Sequence, residues 1–134
     1  MSAALVCVDP ARIGEFWPHF AEFIRRAMRR GQGDFAGTER DVLAGRALLW
    51  LAHENHHVIA AAVTQIDDDH VGKRCNLVAC GGHDFDRFRH LIEGIEKYAR
   101  IEGCKAVEIT GRKGWSRVVR DYAIKHVTLR KELS

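Results

Sequence analysis

The 134-residue sequence contains no run of about 18 uncharged apolar residues, the length a helix needs to cross a bilayer. Residues 1–10 also lack the basic and apolar stretches of a secretory signal. No membrane association and a cytoplasmic location are therefore expected. Cysteine is sparse and unpaired: Cys7, Cys75, Cys80 and Cys104 form no CxxC motif. A chain of this size needs no disulfide staples, so reduced and mostly buried thiols are expected. Internal repeats, low-complexity tracts and linkers are absent as well. With 46% hydrophobic residues the chain can bury one sizeable core but is too short to divide comfortably into two. One domain over residues 1–134 is expected.

The charge excess is small, a net +3, but it is unevenly placed. Residues 105–134 hold eight Lys or Arg against Glu108, Asp121 and Glu132. A phosphorylated cofactor, an acidic protein or nucleic acid would suit that field, and so would plain solvation. Lys113, Arg117 and Arg120 fall at i, i+4 and i+7 of a candidate helix, a stripe that could grip phosphates. No helix-turn-helix, zinc finger or RNA-binding aromatic motif accompanies it, so nucleic acid is not the expected partner.

The periodicity gives an element order. Residues 5–8 read as a short strand, followed by Asp9 as a helix cap and Pro10 at the first helical position. Ile13, Phe16, Trp17, Phe20, Phe23, Ile24 and Met28 recur at helical spacing, and Pro18 predicts a kink. Residues 31–37 read as a loop, and Thr38, with Asp41 three residues on, predicts the cap of a second helix ending near Gly45. Apolar runs at 47–52, 58–66 and 75–80, divided by polar turns at 54–57 and 67–70, predict three antiparallel strands, with one helix over 47–63 as the alternative. Asp84 predicts the cap of the clearest helix, striped by Phe88, Leu91, Ile92, Ile95 and Ala99 and stopped by Gly103. On its wet face Glu93 and Lys97, and Glu96 and Arg100, form i, i+4 pairs. A strand at 106–110, a helix striped by Trp115, Val118, Val119 and Tyr122, and a final strand at 126–133 complete the chain. Strand, two helices, three strands and then βαβ elements predict an α/β domain with a mixed sheet and helices on both faces.

This order resembles the GNAT acyltransferase superfamily along almost the whole chain. The stretches Cys75-Asn-Leu-Val-Ala-Cys-Gly-Gly, Ile95-Glu-Lys-Tyr-Ala-Arg-Ile-Glu-Gly-Cys and Gly111-Arg-Lys-Gly-Trp-Ser-Arg-Val-Val-Arg-Asp-Tyr are similar to GNAT-like proteins of phages and prophages. The resemblance implies acetyl-CoA as cofactor, cradled where the fourth strand meets the following helix. Leu77, Val78, Ala79, Cys80, Gly81, Gly82, His83 and Arg87 stand at the matching positions. Glycines let backbone N–H groups approach phosphate and a helix N-terminus adds favourable potential. The family loop of Arg or Gln, two residues, Gly, any residue, then Gly or Ala is altered here to Ala79-Cys-Gly-Gly-His-Asp-Phe-Asp-Arg87, and Asp84 and Asp86 would repel phosphate. A tight strand-to-helix turn capped by Asp84 explains the same glycines without a ligand.

Many family members carry a tyrosine in the last helix whose hydroxyl protonates the departing thiolate, a task suited to a positioned phenol. Tyr122 occupies that place, with His126-Val127 where Gly-Phe is usual. Packing in the stripe with Trp115 and Val119 is its structural alternative. A base must accept the proton of the attacking amine; Glu108, alternating with Val107 and Ile109, is preferred over Glu54, and either could be a rim carboxylate. The implied function is acyl transfer from acyl-CoA to a small-molecule or protein amine. The alternative is a non-catalytic binding or assembly protein of phage origin with a protein partner. A rival motif, His53-Glu-Asn-His-His57, matches HExxH, which binds zinc only when both histidines share a helix face. Its place between two apolar runs predicts a hairpin turn instead, and no metal site is expected. Asp67, Asp68 and Asp69 lack the rest of a calcium loop.

Overall fold

The computed structural model describes residues 4–29, 34–82, 85–109, 119, 121–125 and 129–133, and of residues 85–89 the backbone alone. Strand β1 (Ala4–Cys7) leads through Asp9, whose carboxylate accepts from the Ala11 N–H at 2.9 Å, into a 3-10 turn over Pro10–Arg12. Helix α1 (Ile13–Met28) follows at once. It continues through Pro18 as one helix. Proline removes one bond, to the carbonyl of Gly14, and Gly14 and Pro18 both face solvent, so water can satisfy the orphaned oxygen.

Helix α2 (Phe35–Leu43) starts four residues earlier than the Thr38 cap implies, with Asp34 at the cap position. Phe35 stacks on the buried Trp17 ring at 6.2 Å, drawing the first turn upstream, and the Thr38 N–H already bonds the carbonyl of Asp34. Thr38 is thus buried inside the helix. Burial of an aromatic ring here outweighs a side-chain cap worth about 1 kcal/mol.

Strands β2 (Leu48–Glu54), β3 (His57–Asp69) and β4 (Gly72–Gly82) form the predicted antiparallel meander, excluding the single helix over 47–63. Asn55 and His56, with φ of 51° and 66°, close the first hairpin, the double left-handed conformation of a type I′ turn. The second turn sits later than expected, at His70 and Val71, because the aspartates predicted as a turn are strand residues. Asp67 faces Arg74 and Asp68 faces Lys73 across the ladder, so opposite charges stabilise the extension. Helix α3 (Phe85–Ile101) then crosses to β5 (Ala106–Ile109), which pairs parallel with β4 as expected. The sheet order is β1-β2-β3-β4-β5.

Alternate residues of the strands feed two cores. Leu49, Leu51, Ala61, Val63 and Ala79 pack with Trp17, Ile24, Met28 and Val42 under α1 and α2. Trp50, Ala62, Cys75 and Leu77 pack with Leu91, Ile92, Ile95 and Ala99 of α3. A mixed sheet covered on both faces is the result. Within the second core the Trp50 indole donates to the Thr64 hydroxyl at 2.8 Å, and Tyr98 meets Trp50 edge-on at 5.1 Å.

The helix expected around Trp115 lies outside the described residues except at its end. There Val119 is buried, Asp121 is in a turn, and Tyr122 to Lys125 are not helical. Of the strand expected over 126–133, residues 126–128 lie outside the described residues, and residues 129–133 are not in a strand. Leu129 and Leu133 are 91% and 86% exposed. Two leucines among Arg130, Lys131 and Glu132 offer too little apolar area to hold a strand against the sheet.

Candidate active site

The most informative irregularity lies in β4. Its register against β3 passes from Val63↔Ala79 directly to Thr64↔Leu77, leaving Val78 without a partner. This is a β-bulge, and it shifts the facing of the strand. Cys75 and Leu77 point toward α3, Val78 and Ala79 both pack on the α1 side, and Cys80 returns to the α3 side. The described parallel pairing with β5 runs as far as Leu77↔Ile109, the row beside the bulge. Residues 110–118, which follow β5, lie outside the described residues.

The two glycines at the end of β4 differ from each other. Gly81 lies against α1: a Cβ added to it would stand 3.0 Å from Phe23 Cε1 and 3.1 Å from the Ala27 Cβ. Its missing side chain is what lets the helix approach the strand. Gly82 is exposed, opposite Ala60. Both belong to the extended ladder, and neither has the left-handed φ found at Gly45, Gly72 and Gly103, so they form no anion nest by themselves. His83 lies outside the described residues, as does the side chain of Arg87; the backbone of α3 begins at Phe85, just past Gly82.

Glu108 of β5 is opposite Asn76 and faces away from Val107 and Ile109, which pack toward α3. Arg74 Nη1 donates to its carboxylate at 3.1 Å while Arg74 Nη2 donates to Asp69 at 2.7 Å. Asn76 donates to Asp67 beside them. This half-buried polar face continues to α2, where Asp41 accepts from Gln65 and Arg46. The preferred base is therefore already held by a guanidinium. Glu54, the second choice, ends β2 next to the hairpin turn, beyond the end of β4.

Tyr122 is on the other face. Its ring packs in the α3-side core, and its hydroxyl donates to Glu96 Oε2 at 2.6 Å. Burial, then the bond to Glu96, then the charges of Glu96 and Asp121, hold the phenol well above its ordinary range. The sequence reading missed Glu96, placing it in a surface pair with Arg100. No local signal could have found it, since the partners are 26 residues apart. Burial also pushes the Cys75 thiol up to about 11, with Cys104 adding, and raises the Cys80 thiol. Neither is a thiolate at neutral pH, so neither is poised as a nucleophile. The HExxH match falls on the hairpin, where His53 and His57 lie on separate strands and cannot share a helix face.

No family model matches the sequence, and no curated protein matches it. Solved structures do. A GNAT family acetyltransferase from Staphylococcus aureus is 11% identical, with 99% of this chain and 100% of that one covered and a TM-score of 0.61. The chain has the GNAT fold. A predicted acetyltransferase from Clostridium acetobutylicum, solved with acetyl-CoA, is 13% identical over 98% of this chain and 96% of that one, with a TM-score of 0.64. An aminoglycoside acetyltransferase from an uncultured soil metagenomic sample, in complex with sisomicin, is 9% identical over 98% and 96%, with a TM-score of 0.68. At these identities the likeness is one of GNAT architecture. Among the described residues no helix is long and apolar enough to cross a membrane.

Proposed function

We propose that the protein transfers an acyl group from acyl-CoA, with acetyl-CoA as the simplest donor, to the nitrogen of an amine. One observation carries this: a β-bulge leaves Val78 of β4 unpaired, in a sheet that has a phenol on one face and a carboxylate on the other. The main-chain groups of residues 78–82 suit an extended polar ligand, and the start of α3 beside Gly82 suits its phosphates. Acetyl-CoA supplies an activated acyl carbon. The chain's own groups do the rest. A β4 main-chain N–H at the bulge would polarise the acyl oxygen, and Glu108 accepts the proton that the attacking nitrogen must lose, sharing its carboxylate with Arg74. An amine carrying positive charge suits the face that presents Asp67, Asp69 and Glu108 around the single Arg74.

The engagement of Glu108 by Arg74 and of Tyr122 by Glu96, with Asp84 and Asp86 in the phosphate loop, favours a second reading, a GNAT-fold binding protein that performs no transfer. A thermal shift with acetyl-CoA separates the two. At 100 times its dissociation constant a ligand adds about 2.7 kcal/mol of stability. Gly82→Val should remove that gain, because Gly82 is exposed at the end of β4 and a branched side chain there blocks approach to the backbone. No binding at millimolar coenzyme to well-folded protein overturns the transfer reading.

A further inference from the structure

The carboxylate of Glu108 stands at the end of a relay of hydrogen bonds that starts in the β3–β4 turn. Asp69, the last residue of β3, uses both oxygens: Oδ1 accepts from the Val71 N–H at 2.9 Å and Oδ2 from Arg74 Nη2 at 2.7 Å. Arg74 donates from all of its nitrogens, since Nε also bonds the Gly72 carbonyl at 3.3 Å and Nη1 bonds Glu108 Oε1 at 3.1 Å. Bonds at each corner of one planar group fix both its place and its tilt. The links run diagonally. Across the ladders Arg74 is opposite Asp67 and Ala106, yet Asp67 is taken by Asn76, which leaves Arg74 to Asp69 and Glu108. The Arg74 side chain is only 18% exposed, against 46% for Asp69 and 26% for Glu108. Among the described residues Glu108 accepts from Arg74 alone, and through Oε1 alone. Of the carboxylate oxygens in this relay, Glu108 Oε2 is the one left over.

We propose, resting on the acyl-transfer reading, that Arg74 and Asp69 are positioning residues: through them the β3–β4 turn holds Glu108 by Oε1, so that Oε2 meets the acceptor nitrogen. A carboxylate tethered at one oxygen has lost most of its side-chain freedom before the acceptor arrives, and that freedom need not be lost again in the reaction. Arginine suits the tether because it stays charged throughout and does not give up a proton of its own. The step balances without it. The C–N bond forms, the C–S bond breaks with its electron pair on sulfur, and the proton lost from nitrogen passes to Glu108 Oε2 and then through water to the thiolate. Asp69 acts without touching Glu108. In its absence Arg74 is free to turn to Asp67, its own partner across the ladder, and Oε1 is released.

Asp69→Asn is the deciding variant, since it keeps the shape and lies in a surface pair that contributes little to stability. In protein labelled with carbon-13 at the glutamate carboxyl, the signal lost in Glu108→Gln identifies Glu108. That signal should move on Asp69→Asn at neutral pH, and should stay in place when the same change is made in an Arg74→Gln background. A signal that stays in the first case, or moves equally in both, overturns the relay. If Arg74→Gln fails to fold, Asp69→Glu takes its place: the restored carboxylate should bring the signal back toward that of the parent, and a signal that remains with Asp69→Asn overturns the relay. Thiol release from acetyl-CoA, with water as the probe acceptor, gives the catalytic readout. Asp69→Asn should lower kcat by about tenfold to a hundredfold, the scale of a misplaced group, with KM for acetyl-CoA and the melting temperature nearly unchanged. Arg74→Lys, which keeps the charge without the fork, should retain part of the rate that Arg74→Gln loses. An unchanged kcat, or a fall matched by lost stability, overturns the positioning role. No binding or turnover of acetyl-CoA sinks the acyl-transfer reading and the catalytic role with it, whereas turnover indifferent to Asp69 sinks the proposal alone.

Discussion

Gly81→Ala tests whether this glycine serves packing or ligand binding. An added Cβ would lie 3.0 Å from Phe23 Cε1 and 3.1 Å from the Ala27 Cβ, tighter than nine in ten real contacts. The Phe23 ring can tilt aside, but the Ala27 methyl is fixed to the α1 backbone, so the helix must move by a few tenths of an ångström. Overpacking of this kind costs about 1–3 kcal/mol. Against it, replacing glycine in an extended strand restricts the unfolded chain and returns about 0.4–1 kcal/mol. The net expectation is a loss of about 0.5–2 kcal/mol, seen as a lower urea midpoint at unchanged slope or as a melting point lower by several degrees. Coenzyme affinity per folded molecule should stay close to that of the parent, because the added methyl points at α1. Gly81→Ala as stable as the parent would refute the close approach of α1 to β4. Normal stability with abolished coenzyme binding would return Gly81 to the phosphate-binding role implied by the sequence.

His56→Gly should raise stability by about 0.5–1 kcal/mol, since His56 holds φ of 66° where the type I′ turn favours glycine; chemical denaturation measures it. Trp50→Phe leaves the Thr64 hydroxyl, 1% exposed, without its donor and should cost about 1–3 kcal/mol beyond the lost packing, with Thr64→Val restoring part of it in the double variant. The folded-state pKa of Cys75, ordinarily 9.0, rises to about 11 and that of Tyr98, ordinarily 10.0, to about 12. Both favour the neutral form in the folded protein. Their stabilisation is therefore complete below pH 9 and drains away as pH climbs toward 12, which unfolding midpoints measured across that window should follow. Iodoacetamide at mildly alkaline pH should label the exposed Cys7 first and reach the buried Cys75 only on unfolding.

Sequence alone determined the elements whose signals are local. The stripe from Ile13 to Met28, the stripe from Leu91 to Ala99, the alternation around Trp50 and Val63, and Asp9 before Pro10 each state a helix, strand or cap through neighbours in the chain, and each is found in place. The parallel pairing of β4 with β5 was legible as well, because a helix between two strands leaves few other connections. The start of α2 was not: a ring 18 residues upstream, Trp17, decided it. The strand run through Asp67 to Asp69 required Arg74 and Lys73 on the opposite strand. Residues 129–133 are not in the expected strand because alternation states only that a strand could form, while Leu129 and Leu133 find no described surface to cover them.

At the candidate site the division falls the same way. Residue types suited to acyl transfer, Glu108 and Tyr122, and the glycines after β4 could be picked from the sequence. Their environments could not. The unpaired Val78 is invisible in the sequence, because a bulge is a mismatch between two strands and belongs to neither alone. The Arg74 guanidinium on Glu108, the α1 helix against Gly81 and the Glu96 carboxylate on the Tyr122 hydroxyl join residues 34, 54 to 58 and 26 positions apart. A sequence fixes periodicity and chemistry along one dimension. Hydrogen bonds, charge and close packing act through space, so only the tertiary structure decided which proton each group holds and which face of the sheet it serves.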